Sequence, residues 1–214
     1  VSDASDRRAE AVLHVRDEWS RYLCQARDMV VRHPPVMGNS CEMFYGYYPA
    51  FLAAYHFPEE GDSVLEERFA RDISLLVDTD TGLPAKGASP YRVQNFSSAM
   101  GMLVDLYEAT GNESYLAVAS RVGDYLSSDR VQASDGSYRS GDTHYTAVIY
   151  PAKSMLELAG AEKARFTSTA DTVWLSRAVR HRDSAMKAIE DLAQRRDNIG
   201  TEGDMTFEDG MISC

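Results

Sequence analysis

The sequence predicts an all-α chain, folded as an (α/α) toroid of antiparallel helical hairpins that is incomplete within its 214 residues. Three observations carry that expectation. Apolar residues recur at helical spacing in seven segments, no alternating strand pattern competes with them, and a hairpin unit of about 51 residues repeats. Residues 1–214 read as a single domain of this kind or as a fragment of one.

The elements follow in order. From Ala9 to Val30 the apolar stripe is Val12, Val15, Trp19, Leu23, Ala26 and Val30. A second helix is expected from Cys41 to His56, with Phe44, Tyr47, Tyr48, Phe51, Leu52 and Tyr55. A third runs from Val64 to Val77 through Leu65, Phe69, Ile73 and Leu76. The fourth carries Phe96, Ala99, Met100, Leu103, Leu106 and Tyr107 and ends at Gly111, a C′ glycine. Asn112 caps the fifth, which holds Tyr115, Ala119, Val122 and Leu126. A sixth spans Tyr145 to Ala159. A short turn near Gly160 leads into a seventh, from Ala161 towards Arg196, with Trp174, Leu175, Ala178, Ala185, Ile189 and Leu192.

Connections alternate in length. Short turns join helices four to five and six to seven, while long loops, Asp78 to Asn95 and Ser127 to His144, join one hairpin to the next. Loops of that length in a compact domain are commonly functional. Tyr48-Pro49-Ala50 recurs as Tyr150-Pro151-Ala152, and Met100-Gly101-Met102 lies midway between them. Each long loop carries a turn ahead of its helix, Asp80-Thr81-Gly82-Leu83 in one and Ser134-Asp135-Gly136-Ser137 in the other. Tandem hairpins with their long loops at one end favour a toroid over an open solenoid.

Composition narrows the function. A formal charge of −11 would repel nucleic-acid phosphates, and no basic patch offsets it. No apolar run reaches the roughly 20 residues that cross a bilayer. Cys24, Cys41 and Cys214 are odd in number and form no CxxC pair, which disfavours a zinc ribbon or disulfide framework and leans towards the cytoplasm. The closing Glu208-Asp209-Gly210-Met211-Ile212-Ser213-Cys214 reads like the opening of an element, so a longer protein is expected.

Several segments resemble the six-hairpin glycosidases, in particular the unsaturated glucuronyl and rhamnogalacturonyl hydrolases. Glu42-Met43-Phe44-Tyr45-Gly46-Tyr47-Tyr48-Pro49-Ala50-Phe51-Leu52-Ala53 looks like their acidic, aromatic and Pro-Phe-Leu-Ala segment. Asp78-Thr79-Asp80-Thr81-Gly82-Leu83 is similar to their Asp-Pro-x-Thr-Gly-Leu turn, and Tyr91-Arg92-Val93-Gln94-Asn95-Phe96 sits where they carry Arg-Gly-Asn-Gly-Trp. Asp135-Gly136-Ser137-Tyr138, followed by a helix ending in Met155-Leu156-Glu157-Leu158-Ala159, resembles their later turn and helix. The resemblance spans about residues 40 to 160. It implies an (α/α) toroid and hydrolysis of uronic-acid-containing oligosaccharides by general acid–base catalysis, with no cofactor and no metal. The family's catalytic Asp would fall near Ser40 or Cys41 here, so the family's proton donor must be replaced, relocated or lost.

In such a toroid the inner helices start at the long-loop end, and their first residues line one funnel. Those starts contribute Glu42 and Tyr45; Tyr91, Arg92 and Asn95; Asp142, His144 and Tyr145; and Glu202, Asp204, Glu208 and Asp209. Asp142 is the preferred base, with His144 tuning its proton affinity. Glu208 is the preferred acid, and like charge from Asp209 would raise its pKa. Glu42, Tyr45, Tyr91, Arg92, Asn95, Tyr138 and Tyr145 are expected to bind substrate, with aromatic faces on sugar rings and Arg on uronate carboxylates. Asn95, His144 and Glu208 should therefore converge on one cleft. Capping and the helix dipole also favour acidic residues at these positions. His14, His33, His56 and His181 have no partner at ligand spacing and receive no role. Asp78-x-Asp80-x-Gly82 hints at calcium but lacks the closing Glu, so a plain turn is the simpler reading.

Two other classes stay open. A polysaccharide lyase would use Arg92 and Asn95 to neutralise the uronate, with His144, Tyr145 or Tyr138 moving protons. A non-catalytic helical-repeat protein would only bind a glycan or peptide.

Overall fold

A computed structural model describes residue 14 and residues 16–25, 27–28, 50–51, 53–54, 63–86, 92–138 and 149–195. Everything described is helix, turn or irregular. The only pairing outside helices there is two isolated bridges, Val77 with Pro84 and Gln132 with Tyr138. The described chain is thus all-α. It divides into two compact units, Val1–Ala70 and Arg71–Cys214.

In the first unit, residues 16–25 are helical, as are 50, 51, 53 and 54. Leu23, Ala50 and Ala53 are fully buried, and Phe51 meets Phe69 edge-on with centroids 5.6 Å apart. Helix α1 (Ser63–Leu76) runs across the boundary between the units and buries Leu65, Phe69, Ile73 and Leu76, one stripe at helical spacing.

Among its described residues the second unit holds two hairpins. Helix α2 (Arg92–Thr110) turns into α3 (Glu113–Leu126), and α4 (Ile149–Thr169) turns into α5 (Thr172–Arg195). Each hairpin packs on itself, and α2 packs broadly on α4. Contact of α3 with α4 and α5 is narrower. The result is two layers, α2 beside α4 and α3 beside α5. Helix α2 is enclosed around nearly its whole circumference: Val93 and residues 96–104 are all buried, as is Leu106. Each large apolar side chain among them contributes about 1.5–3 kcal/mol on burial. At Gly101 a Cβ would lie 3.0 Å from Ser154 Oγ, so small residues set the close approach of α2 and α4.

The α2–α3 turn forms as its sequence predicts. Gly111 takes φ +69° and donates to the Tyr107 carbonyl at 2.8 Å. Asn112 caps α3 by accepting from Ser114 N–H at 3.0 Å. The second hairpin corrects the expectation near Gly160, because α4 runs unbroken through that residue to Thr169. A mid-helix Gly costs only about 1 kcal/mol, and Ala159, Ala161 and Glu162 around it are good helix formers. The turn comes instead at Ala170, in the left-handed region at φ 57° and donating to the Phe166 carbonyl at 2.7 Å. Asp171 then caps α5 through Val173 N–H at 3.0 Å.

Candidate functional site

Each described inter-hairpin loop opens with a turn built to the same plan. In the first, Asp78 Oδ1 accepts from the N–H groups of Asp80 and Thr81, Gly82 takes φ +73°, and Asp78 N–H closes on the Leu83 carbonyl at 2.9 Å. In the second, Asp135 Oδ1 accepts from Ser137 N–H, Gly136 takes φ +103°, and Ala133 N–H closes on the Ser137 carbonyl at 2.8 Å. Asp78 thereby spends its carboxylate on the turn. Among the described residues no group of three His, Cys, Asp or Glu is placed to hold a metal ion.

Both turns are pinned to a helix of the next hairpin. Arg121 Nε of α3 donates to the Thr79 carbonyl at 2.9 Å, and Gly82 lies against the Arg121 main chain. Gly136 lies in the same way against the Lys187 main chain of α5. A closed set of hydrogen bonds holds this second turn. Gln132 Nε2 donates to the Ser184 and Gly136 carbonyls, Ser184 Oγ donates to Gln132 Oε1 at 2.8 Å, and Tyr138 OH pairs with Ser184 Oγ at 3.0 Å. Burial pushes the Tyr138 phenol up to about 12, against the smaller pull of the Ser184 hydrogen bond.

The predicted site residues are distributed unevenly across this framework. Arg92 opens α2 and Asn95 follows one turn later. Tyr138 is fully buried, so its ring has no free face for a sugar and serves instead to seat the second turn. Glu42, Tyr45, Tyr91, Asp142, His144, Tyr145, Glu208 and Asp209 lie outside the described residues. In sequence, Tyr91 lies between the first pinned turn and α2, and Asp142, His144 and Tyr145 lie between the second and α4.

His181, which the sequence reading assigns no role, is the centre of a buried polar cluster. It lies on the buried stripe of α5 with Ala178, Ala185 and Ala188 and has no exposed surface. Its Nδ1 is 2.9 Å from Glu162 Oε2 of α4, and its Nε2 is 3.1 Å from Asp124 Oδ1 of α3. Ser120 Oγ donates to Glu162 Oε1 at 2.6 Å. Arg180 Nη2 stands 3.1 Å from Asp124 Oδ1, and Arg177 Nη2 stands 3.5 Å from Asp124 Oδ2. Gly123 leaves the room: a Cβ there would come within 2.9 Å of His181 Nε2 and 2.6 Å of Leu158 Cδ2.

Burial by itself pushes the His181 imidazole down. The hydrogen bonds to Asp124 and Glu162 and the charges of both carboxylates outweigh it, so the net shift is upward from 6.5. Burial likewise pushes Asp124 up, but the His181 hydrogen bond and charge, with Arg180 and Arg177, hold it below 3.8. A histidine sealed to this degree reaches no substrate; it fastens three helices together.

A third titrating position is Asp105 of α2. Burial first, then the charge of Glu157 on α4, raises its pKa to about 6; Lys153 opposes this and Glu108 adds to it. Lys153 is itself paired with Glu157 at 2.7 Å.

No helix among the described residues is long and apolar enough to cross a membrane. The chain matches no family model, no curated protein and no solved structure.

Proposed function

We propose that the chain is a carbohydrate-active glycoside hydrolase of the six-hairpin, (α/α)-toroid type, acting on uronic-acid-containing oligosaccharides. The observation that carries this reading is the pair of pinned turns. Each holds the root of a long loop against the second helix of the next hairpin, just before the helix that starts that hairpin. The stretches rooted there, with the helix starts that follow, carry Tyr91, Arg92 and Asn95 in one case and Asp142, His144 and Tyr145 in the other. Binding and catalytic residues are disproportionately carried on loops set on a rigid scaffold.

In this reading Arg92 and Asn95 recognise the uronate carboxylate, Arg through a bidentate pair. Tyr45, Tyr91 and Tyr145 offer ring faces, and Glu42 accepts from sugar hydroxyls. Asp142 activates water as general base, His144 modulates it, and Glu208 protonates the leaving oxygen with Asp209 beside it. Inverting hydrolysis needs the two carboxylates about 6.5–9.5 Å apart so that water fits between sugar and base.

The test is turnover by the full chain on unsaturated uronide oligosaccharides, followed by the ultraviolet absorbance of the conjugated double bond. A hydrolase removes that absorbance. Asp142→Asn and Glu208→Gln should each slow the loss by about 10²–10⁴-fold. Unchanged turnover in both variants would refute the assigned roles. Absorbance that rises on saturated polyuronides would make the chain a lyase, and glycan binding without turnover would make it a binding protein.

A further inference from the structure

The cluster around His181 sets each ring nitrogen against a carboxylate oxygen, Nδ1 on Glu162 and Nε2 on Asp124. Ser120 Oγ donates to Glu162 Oε1, which leaves Glu162 Oε2 to meet His181 Nδ1 at 2.9 Å. Asp124 is ion-paired to Arg180 and Arg177, so it meets His181 as an acceptor. A neutral imidazole carries one N–H and one lone pair. In that form one ring nitrogen would turn a lone pair towards a carboxylate oxygen with no water to separate them. With both carboxyl groups ionised, only the imidazolium donates to both.

We propose that His181 is a proton-operated latch between the two hairpins. With its proton it fastens α4 and α5 to the last turn of α3, and without it that fastening is released. The charged groups facing it are Asp124 from α3 and Glu162 from α4, with Arg177 and Arg180 from α5 itself. The two arginines are engaged by Asp124. Glu162, fully buried, has His181 as its cationic partner. Loss of the proton therefore leaves the buried Glu162 side chain without its cationic partner. Helix α5 also carries the anchors of the second turn, Ser184 and Lys187, one to two turns beyond the latch. Release would loosen the element that seats that turn.

The experiment is a pH titration of the full chain, read at the His181 ring nitrogens by NMR and at the backbone by amide hydrogen exchange. The expected result is that both ring nitrogens carry protons at neutral pH and that the titration lies above the ordinary histidine value of 6.5. Exchange of α5 amides at 178–185, corrected for its intrinsic pH dependence, should speed up at least about tenfold through the same titration. Glu162→Gln keeps the shape but lets a neutral imidazole accept from the amide, so the transition should move to lower pH. A neutral tautomer at neutral pH would overturn the proposal. So would exchange that ignores the titration, or a midpoint unmoved in Glu162→Gln, since a packing histidine needs neither.

Discussion

Gly82 is pressed against the backbone of Arg121 so closely that a Cβ on it would lie 2.4 Å from the Arg121 carbonyl carbon. Gly136 stands in the same relation to Lys187, where a Cβ would meet the carbonyl oxygen at 2.4 Å. Both glycines also have positive φ. A side chain at either place meets two obstacles, an unfavourable backbone conformation and a main chain that cannot step aside.

Gly82→Ala and Gly136→Ala should therefore each cost about 2–4 kcal/mol, the left-handed penalty plus overpacking. Gly111→Ala supplies the comparison. It has a similar φ of +69° but nothing within 4 Å of the new Cβ, so about 1–2 kcal/mol is expected. Urea unfolding of the three variants checks this. Equal losses at all three positions would mean that the turns are not held tightly against the helices.

The second hairpin carries two correctable residues, and both changes should stabilise. Gly160 sits mid-helix in α4 with open space around its Cα, so Gly160→Ala should add about 0.5–1 kcal/mol. Ala170 occupies the left-handed position at φ 57°, so Ala170→Gly should add about 1 kcal/mol. A raised thermal midpoint in each, and near-additive gains in the double variant, is the expected outcome. A turn at Gly160 would instead make Gly160→Ala destabilising.

These two residues show where the sequence was legible. Gly111-Asn112 announced a helix end and a cap within two positions, and both formed there. Gly160 gave the same single-residue signal without a cap behind it, while the true stop, Ala170-Asp171, put its cap on Asp171 and its left-handed residue on an alanine. A glycine is a stop signal only where the next residues can cap. The two Asp-containing turns were legible as turns, but not the helices they press on, because Arg121 and Lys187 lie far along the chain. His181 was missed for the same reason. Its partners are 19 and 57 residues away, beyond any local spacing rule. The usable signal was that His181 and Glu162 are ionisable residues on stripes otherwise made of Ala, Leu, Met and Ser, and buried polar groups in neighbouring helices seek each other.

Asp105 makes a prediction of opposite sign to most carboxylate changes. Its folded pKa is about 6, above its ordinary 3.8, so the folded state holds the proton more tightly than the unfolded one. Stability must then fall as pH rises through that interval. Asp105→Asn removes the ionisation. It should match the parent near pH 4 and exceed it above about pH 6, by about 1–2 kcal/mol after allowing for partial solvent screening. Urea midpoints at the two pH values decide it. A variant less stable than the parent at the higher pH would show that the Asp105 carboxylate is favourably paired.

The His181 cluster sets a window from both sides. Asp124, held below 3.8, contributes stability that is present above that value and is lost as pH falls through its folded pKa. His181, held above 6.5, contributes stability that is complete below 6.5 and is lost as pH rises through its folded pKa. The cluster is therefore most stabilising between those limits. Within them, Glu162→Ala leaves a buried imidazolium with one acceptor and should cost about 3–5 kcal/mol. Above the folded pKa of His181 the parent has already lost the imidazolium, so the gap between parent and variant should narrow. The check is the difference in unfolding free energy followed from about pH 6 upward through the titration of His181. A gap that is constant across that range would show that Glu162 stabilises α4 through packing and its Ser120 hydrogen bond alone.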